Sequence, residues 1–169
     1  WLNTDSQRLE HIASAGVGQA YIQNVKIYVD TRPEGLGPTG IAFRSQAPYI
    51  CNDIQTNPIV QPWREGIIQQ GFDALAVFPI RKQGQVFGVL GVYSDKPFYF
   101  QHKEVSLITE AAKNISFALD NLLLQEALAL AEKTIRNEPR FSTSMIEIMP
   151  VVLYFYDIKG KFLRRNLNF

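Results

Sequence analysis

The sequence is poor in the residues that most enzymes use for chemistry. Its 169 residues include one cysteine, Cys51, and two histidines, His11 and His102. The motifs GxSxG, HExxH, GxxxxGK[ST], CxxC and GxGxxG are all missing from it. A single cysteine cannot form an internal disulfide. We therefore expect a regulatory or binding module, with no enzymatic activity and no metal site.

The sequence also lacks an excess of charge of one sign and lacks long apolar runs. Seventeen basic and sixteen acidic residues give a net charge of +1 and are scattered along the chain, so neither phosphate backbones nor anionic lipids find a charged surface. No run approaches the roughly 18–20 apolar residues that span a bilayer, and no signal peptide is present. We expect a cytoplasmic protein without nucleic-acid or membrane contact. Because the sequence begins with Trp1 and not with an initiator methionine, we also expect a fragment of a longer chain.

The clearest secondary-structure signal is a β-hairpin. Residues 74–80 and 85–93 are strand-like, and residues 81–84 form the turn between them. Apolar side chains alternate onto both faces of the second strand, so both faces of the sheet must be covered. Gly88 and Gly91 weaken that strand, which suggests either a closely approaching backbone or ligand, or a β-bulge.

Turn and capping residues predict the shorter elements. Residues 8–14 are strand-like, and Thr39 is a candidate N-cap for a short helix. Pro48 favours an extended conformation into residues 49–51. Pro62 suits the first position of another short helix, and Gly71 suits its C-terminal cap.

The longest periodic segment predicts a helix over residues 103–137. Ile108, Ile115, Leu122 and Ala129 recur every seven residues, which is typical of a two-helix seam. Such a helix is about 50 Å long, more than a small domain can cover. We therefore predict a homodimer with those four residues at its interface.

The pattern changes after Pro139, where a short amphipathic helix precedes two strand-like runs at residues 151–156 and 161–166. This change predicts the start of a second domain. The expected organisation is a first domain over residues 1–121, a helical linker over 122–138 and a truncated domain over 139–169.

Candidate binding residues cluster just before and within the hairpin. An aromatic side chain on a short helix, Trp63, can roof a pocket, and Arg64 beside it can bind an anion. The alternative is that Trp63 fills the core. We predict that residues 63–78 wall a ligand pocket and that its ligand-binding side chains are Trp63, Arg64, Ile67, Phe72 and Phe78.

Three other residues allow a functional and a structural interpretation. Cys51 in an apolar strand is either a buried, inert thiol or a redox or chromophore attachment site. Asp53 either caps a turn or contacts a ligand. His102 at the start of the long helix is either solvated or capping, or a haem ligand.

Three stretches together resemble a GAF domain. They are GPTGIAFRSQAPYICNDI (residues 37–54), NPIVQPWREGIIQQGFDALAVFPI (residues 57–80) and GQVFGVLGVYSDKPFYFQHKEVSLI (residues 84–108). The resemblance covers residues 2–121 and lacks the N-terminal helix of the family. It implies an α+β fold with a central antiparallel sheet of five or six strands. Helices would cover one face of that sheet and a small-molecule pocket the other.

Differences from the motifs of two GAF subgroups narrow the range of ligands that the resemblance allows. The subgroup that binds cyclic nucleotides has an asparagine and lysine where this chain has Ser94 and Asp95. It has an aspartate and glutamate where this chain has Glu104 and Val105. The bilin subgroup has its cysteine elsewhere than Cys51 and usually follows it with histidine. The resemblance therefore argues against both ligands and leaves the cofactor unknown.

Residues 140–169, RFSTSMIEIMPVVLYFYDIKGKFLRRNLNF, are similar to the beginning of a PAS domain. Together the two resemblances imply a sensory module of a signal-transduction protein, either a histidine kinase or a cyclic-di-GMP cyclase or phosphodiesterase. It would bind an unidentified small molecule and relay the signal through a dimeric helix. The alternative is a ligand-free dimerisation and relay module. A relationship to the free methionine sulfoxide reductases would require several cysteines.

Overall fold

The computed structural model describes the backbone of residues 1–148, 154–156 and 162–165, and the side chains of residues 1–134. It divides into two compact units, Trp1–Asp120 and Asn121–Phe169. The first unit contains two antiparallel sheets of three strands each. The first sheet consists of β1 (Leu2–Asn3), β2 (Arg8–Leu9) and β3 (Ile27–Tyr28), and the second of β4 (Tyr49–Cys51), β5 (Ala74–Lys82) and β6 (Gln85–Ser94).

This arrangement differs from the single sheet of five or six strands that the resemblance implies. The strands of the first sheet are only two residues long. Residues 10–14, for which the sequence predicted the rest of a strand, are irregular. Gly16 and Gly18, with φ of 90° and 74°, follow, and this left-handed backbone cannot continue a ladder. The first unit is therefore mixed α/β with two small sheets.

The predicted hairpin is the longest paired segment. β5 and β6 pair from Ala74 opposite Ser94 to Lys82 opposite Gln85, with a register shift between Ile80 and Arg81. Gln83 and Gly84 join them, and both have positive φ, 51° and 78°, as a two-residue type I′ turn requires. The prediction of this hairpin is confirmed, and each strand extends slightly beyond its predicted range.

Helices cover both faces of the second sheet. The helices are α1 (Gln19–Asn24), α2 (Pro38–Ser45), α3 (Arg64–Gln69) and α4 (His102–Ile148), and short 3₁₀ turns occur at Pro33–Gly35 and Pro58–Val60. On one face, Leu75 and Val77 of β5 pack with residues of α2 and α3. On the other, Ala76 and Phe78 pack with residues of α4. The alternation along β5 thus builds two separate apolar clusters.

Of the predicted helix-capping positions, one is confirmed and two are shifted along the chain. Gly71 follows the C-terminus of α3 with φ of 82°, as predicted. Thr39 is the second residue of α2, and Gly37 is its N-cap. Pro62 precedes α3, which begins after Trp63. Both helices therefore begin two residues away from the predicted position, a difference within the usual uncertainty of helix ends.

The long helix exceeds its predicted length. α4 continues past Pro139 to Ile148, where the sequence predicted an end and a separate short helix. A proline inside a helix loses one backbone hydrogen bond and can bend the helix without ending it. In the second unit, β7 (Tyr154–Tyr156) and β8 (Phe162–Arg165) pair antiparallel, within the two predicted strand runs. The predicted turn between them lies outside the described residues.

Candidate functional site

A cavity of about 620 Å³ lies in the first unit and is lined by residues of β2, α1, the loop between them, the start of α2, Trp63, α3, the β5–β6 hairpin and Ile115 of α4. This volume is in the range of small-molecule pockets in proteins. Its walls include the aromatic side chains of Tyr21, Trp63, Phe72 and Tyr93. The rings of Phe72 and Tyr93 pack with centroids 5.0 Å apart. The arrangement can therefore hold a flat, largely apolar molecule.

Glycines allow the aromatic walls to sit close to the backbone. A Cβ at Gly37 would lie 2.8 Å from the Trp63 ring, and one at Gly66 would lie 2.7 Å from the Tyr21 ring. Real Cβ atoms essentially never come so close to a ring atom. Gly37 and Gly66 thus set the positions of two rings that line the cavity.

Of the predicted ligand-binding residues, Trp63, Ile67 and Phe72 line this cavity. The structure does not place Arg64 and Phe78 among the lining residues. Arg64 Nε donates to the Ile54 carbonyl at 2.9 Å, and its Nη2 donates to the Asn57 carbonyl at 2.8 Å. Its guanidinium therefore holds the loop before α3 and is not a free anion site.

Phe78 is a correction to the predicted site. It is 1% exposed and packs with Phe100 and Ala112 on the α4 face of the sheet. Side chains alternate along β5, so residues 75 and 77 face one side and residues 76 and 78 the other. The predicted segment 63–78 thus contributes its odd-numbered strand residues to the cavity and its even-numbered ones to the α4 interface.

Asn52 and Asp53 organise the end of β4. Asn52 Nδ2 donates to the Phe100 carbonyl at 3.0 Å, and the Phe100 N–H donates to Asn52 Oδ1 at 2.9 Å. The Asn52 side chain thus clamps β4 to the segment that leads into α4. Asp53 accepts from the Gln55 N–H at 2.9 Å and from the Thr56 hydroxyl at 2.6 Å. The Thr56 hydrogen bond lowers the pKa of Asp53, and the predicted turn-capping role is confirmed.

Cys51 is buried next to Ile54 and Leu75, with 1% of its surface exposed. Burial raises the pKa of its thiol, so the nucleophilic thiolate is disfavoured. The structure thus places Cys51 in the environment that the inert interpretation requires. His102, the first residue of α4, is exposed.

Gly88 and Gly91 have different surroundings. A Cβ at Gly88 would overlap the Trp1 ring, and the register shift of the hairpin lies beside this position. The bulge interpretation therefore fits Gly88, whose close neighbour is a side chain and not the backbone or ligand of the other interpretation. Gly91 lines the cavity, and its nearest neighbour would be 3.9 Å away.

The hairpin turn is hydrogen-bonded to α4. The Arg81 N–H donates to Ser116 Oγ at 2.9 Å, and the Gln83 N–H donates to Asp120 Oδ1 at 2.7 Å. The Ser116 hydroxyl donates in turn to the Ala112 carbonyl at 2.8 Å. The register shift before Arg81 interrupts the ladder at this point. The strands that wall the cavity are thereby joined to α4.

The predicted dimer residues do not share one environment. Ile108 is half-buried and packs against the α4-side cluster of the sheet, so its own unit already covers part of this side chain. Ile115 is 36% exposed and lines the cavity. Leu122, 56% exposed, and Ala129 are exposed in the second unit. A heptad stripe cannot distinguish packing on a sheet from packing on a second helix.

The described part of the chain contains neither a candidate metal site nor a candidate membrane-spanning helix. No group of three or more histidine, cysteine, aspartate or glutamate side chains there could hold a metal ion. None of its helices has the length and apolar character to cross a membrane.

Solved structures with TM-scores above 0.5 share this fold. One is a domain of a protein described as a two-component sensor histidine kinase from Sinorhizobium meliloti 1021, with a TM-score of 0.54 and 20% identity over 73% of this chain and 83% of that one. Another is the GAF domain of an Acinetobacter phosphoenolpyruvate-protein phosphotransferase, with a TM-score of 0.53 and 16% identity over 78% and 70%.

A third is the free methionine-R-sulfoxide reductase of Neisseria meningitidis in complex with its substrate, with a TM-score of 0.53 and 17% identity over 70% of this chain and 63% of that one. At these identities the likeness is one of fold. No curated protein matches the sequence. The sequence model of the GAF domain matches residues 1–120, which is most of the 169-residue chain, and the chain therefore belongs to the GAF domain family.

Proposed function

We propose that this chain is the sensory module of a signal-transduction protein, such as a histidine kinase or a cyclic-di-GMP cyclase or phosphodiesterase. It binds a small molecule in the first unit and relays that event through a dimeric helix. The observation that carries the proposal is the cavity of about 620 Å³ on the β5–β6 hairpin, whose turn is hydrogen-bonded to α4. GAF domains are in general regulatory, which agrees with this role.

The path of the signal follows from these contacts. A ligand in the cavity contacts Val89 and Tyr93 of β6, and a shift of this strand reaches the turn at Gln83 and Gly84. Ser116 is bonded to Arg81 near the end of β5 and Asp120 to Gln83 in the turn, so the movement is passed to α4. A ligand can shift such an equilibrium only by its difference in affinity for the two states.

In this proposal, two copies of the chain pair through α4, and this dimer passes the signal on. More than half of the exposed large hydrophobic side chains in the described part of the chain lie on this helix. Phe117, Leu124 and Leu128 are 68%, 59% and 56% exposed. Phe117 follows the buried Ala112 by five residues and so lies on another side of the helix. We infer that a second copy of the chain covers these side chains.

The spacing of this revised seam is that of a coiled coil. Phe117, Asn121, Leu124 and Leu128 are separated by four, three and four residues, which places Asn121 and Leu128 at a positions and Phe117 and Leu124 at d positions. An asparagine at one a position favours a parallel, two-stranded pair. In that register Leu122 is at a b position, outside the seam.

One matched pair of variants tests the dimer. We expect Leu124→Glu to convert the dimer to a monomer in analytical ultracentrifugation, because it places a charge in an apolar interface. Leu122→Glu should leave the dimer intact, and circular dichroism should show both variants folded. If Leu122→Glu dissociates the dimer and Leu124→Glu does not, the interface is instead formed by the seven-residue stripe of Ile115, Leu122 and Ala129. A wild-type monomer would refute the dimer.

Native mass spectrometry of the purified chain, with a thermal-shift ligand screen, tests the proposed function itself. We expect a species of twice 19.2 kDa that carries a bound small molecule or is stabilised by one. A dimer that binds nothing would favour the alternative of a ligand-free dimerisation and relay module. An empty monomer would contradict both.

A further inference from the structure

Two polar atoms in the cavity wall have no partner within the described part of the chain. Arg8 Nε and Ser14 Oγ are buried and make no hydrogen bond there, and both residues line the cavity. A buried polar atom without a partner is costly and uncommon in native proteins. A guanidinium N–H can only donate, and a hydroxyl can also donate. Both atoms have almost no accessible surface, so each reaches a hydrogen-bond acceptor in the cavity only after a small shift of its side chain.

Two phenols add further donors to the same wall. Tyr21 and Tyr93 line the cavity, and neither hydroxyl has a hydrogen bond to another described residue. Burial raises the pKa of Tyr21 and raises that of Tyr93 to about 12. Both phenols consequently stay protonated at neutral pH and can donate. Together with Arg8 and Ser14 they give the cavity wall four side chains that can donate a hydrogen bond.

The acidic residues of the wall do not neutralise Arg8. Glu10 and Glu34 line the cavity but are exposed, and the Glu10 carboxylate accepts from Asn3 Nδ2 at 2.9 Å. Within residues 1–134, the one side-chain ion pair joins Arg32 and Asp30. Arg8 therefore brings a positive charge to the cavity wall, and no carboxylate of residues 1–134 forms an ion pair with it.

We propose that the cavity binds a small aromatic carboxylate. Its carboxylate accepts hydrogen bonds from Arg8 and Ser14, and its apolar ring packs among Trp63, Phe72 and Tyr93. The fork of an arginine can bind a carboxylate or a phosphate. One guanidinium balances the single charge of a carboxylate, whereas a phosphate dianion would bring a second, unbalanced charge into the cavity. This inference rests on the proposed ligand-binding function and adds the chemical class of the ligand.

Three probes with one apolar body test the inference. They are 3-phenylpropanoate, 3-phenylpropanamide and 3-phenylpropylamine, and isothermal titration calorimetry with the whole chain measures their affinities. We expect the carboxylate to bind about 10-fold or more tightly than the amide, as a charge-assisted hydrogen bond provides. The amine should bind most weakly, because its charge repels Arg8.

Variants test whether Arg8 and Ser14 cause the preference for the carboxylate. Arg8→Gln should remove the preference for the carboxylate over the amide, and Ser14→Ala should reduce it. Arg32→Gln, which removes an arginine outside the cavity wall, is the matched control and should keep it. Because the three-probe comparison uses the unaltered chain, it stands even where a variant fails to fold.

The outcomes separate this inference from the proposed function. Equal affinity for the carboxylate and the amide, or tighter binding of the amine, would overturn the carboxylate assignment and leave a ligand-binding module. A preference that survives Arg8→Gln would also overturn it. If none of the three probes binds while the thermal-shift screen finds another class of ligand, the assignment fails and the proposed function stands. If nothing binds in either experiment, both fail.

Discussion

Replacing Asn52 by alanine tests whether one side chain joins β4 to the start of α4. The substitution removes two hydrogen bonds, of 3.0 and 2.9 Å, and leaves the N–H and carbonyl of Phe100 without their partner. Phe100 is 2% exposed, so water cannot readily replace the lost amide. Each hydrogen bond contributes about 0.5–1.5 kcal/mol net, and an unpaired buried group adds to the loss. We expect Asn52→Ala to lower the free energy of unfolding by about 2–3 kcal/mol.

Urea unfolding followed by tryptophan fluorescence measures this loss. The two tryptophans, Trp1 and Trp63, both lie in the first unit, so their emission reports on that unit. With a denaturant dependence of about 1–3 kcal/mol per molar urea, a loss of 2 kcal/mol lowers the midpoint by about 1 M. Circular dichroism at zero urea checks that the variant is folded before it is compared.

Asn24→Ala is the matched control. The Asn24 side chain donates one hydrogen bond to the Ala20 carbonyl and is exposed, so its loss should cost less than about 0.5 kcal/mol. If Asn52→Ala is no more destabilising than this control, then the clamp does not stabilise the unit and the reasoning from its geometry is wrong.

Two further predictions concern burial and close packing. Cys51 should react slowly with a thiol reagent in the native protein and rapidly in denaturing urea, because burial raises the pKa of its thiol; rapid native labelling would contradict this. Gly88→Ala should cost about 1–3 kcal/mol in urea unfolding, because the new methyl group overlaps the Trp1 ring. Gly91→Ala in the same strand, with its nearest neighbour at 3.9 Å, should cost far less, and equal effects would argue against the Trp1 contact.

Short-range chemistry let the sequence determine much of this protein by itself. The β5–β6 hairpin follows from the alternation of apolar residues and the Gln83-Gly84 turn. The caps at Asp53 and Gly71 follow from the local preferences of those residue types. The three stretches that resemble a GAF domain lie within the part matched by the family. None of these features depends on contacts that are distant in sequence.

Tertiary structure alone decided which side chains line the cavity. Alternation shows that Val77 and Phe78 face opposite ways, but not which face carries α4 and which the cavity. Arg64 is held by carbonyls of a preceding loop, and Arg8 reaches the cavity wall from a two-residue strand with no sequence motif. The same limit applies to α4, where Ile108 of the seven-residue stripe is used by the sheet. Periodicity records which residues avoid water, whereas the surface that covers them is fixed by contacts between distant parts of the chain.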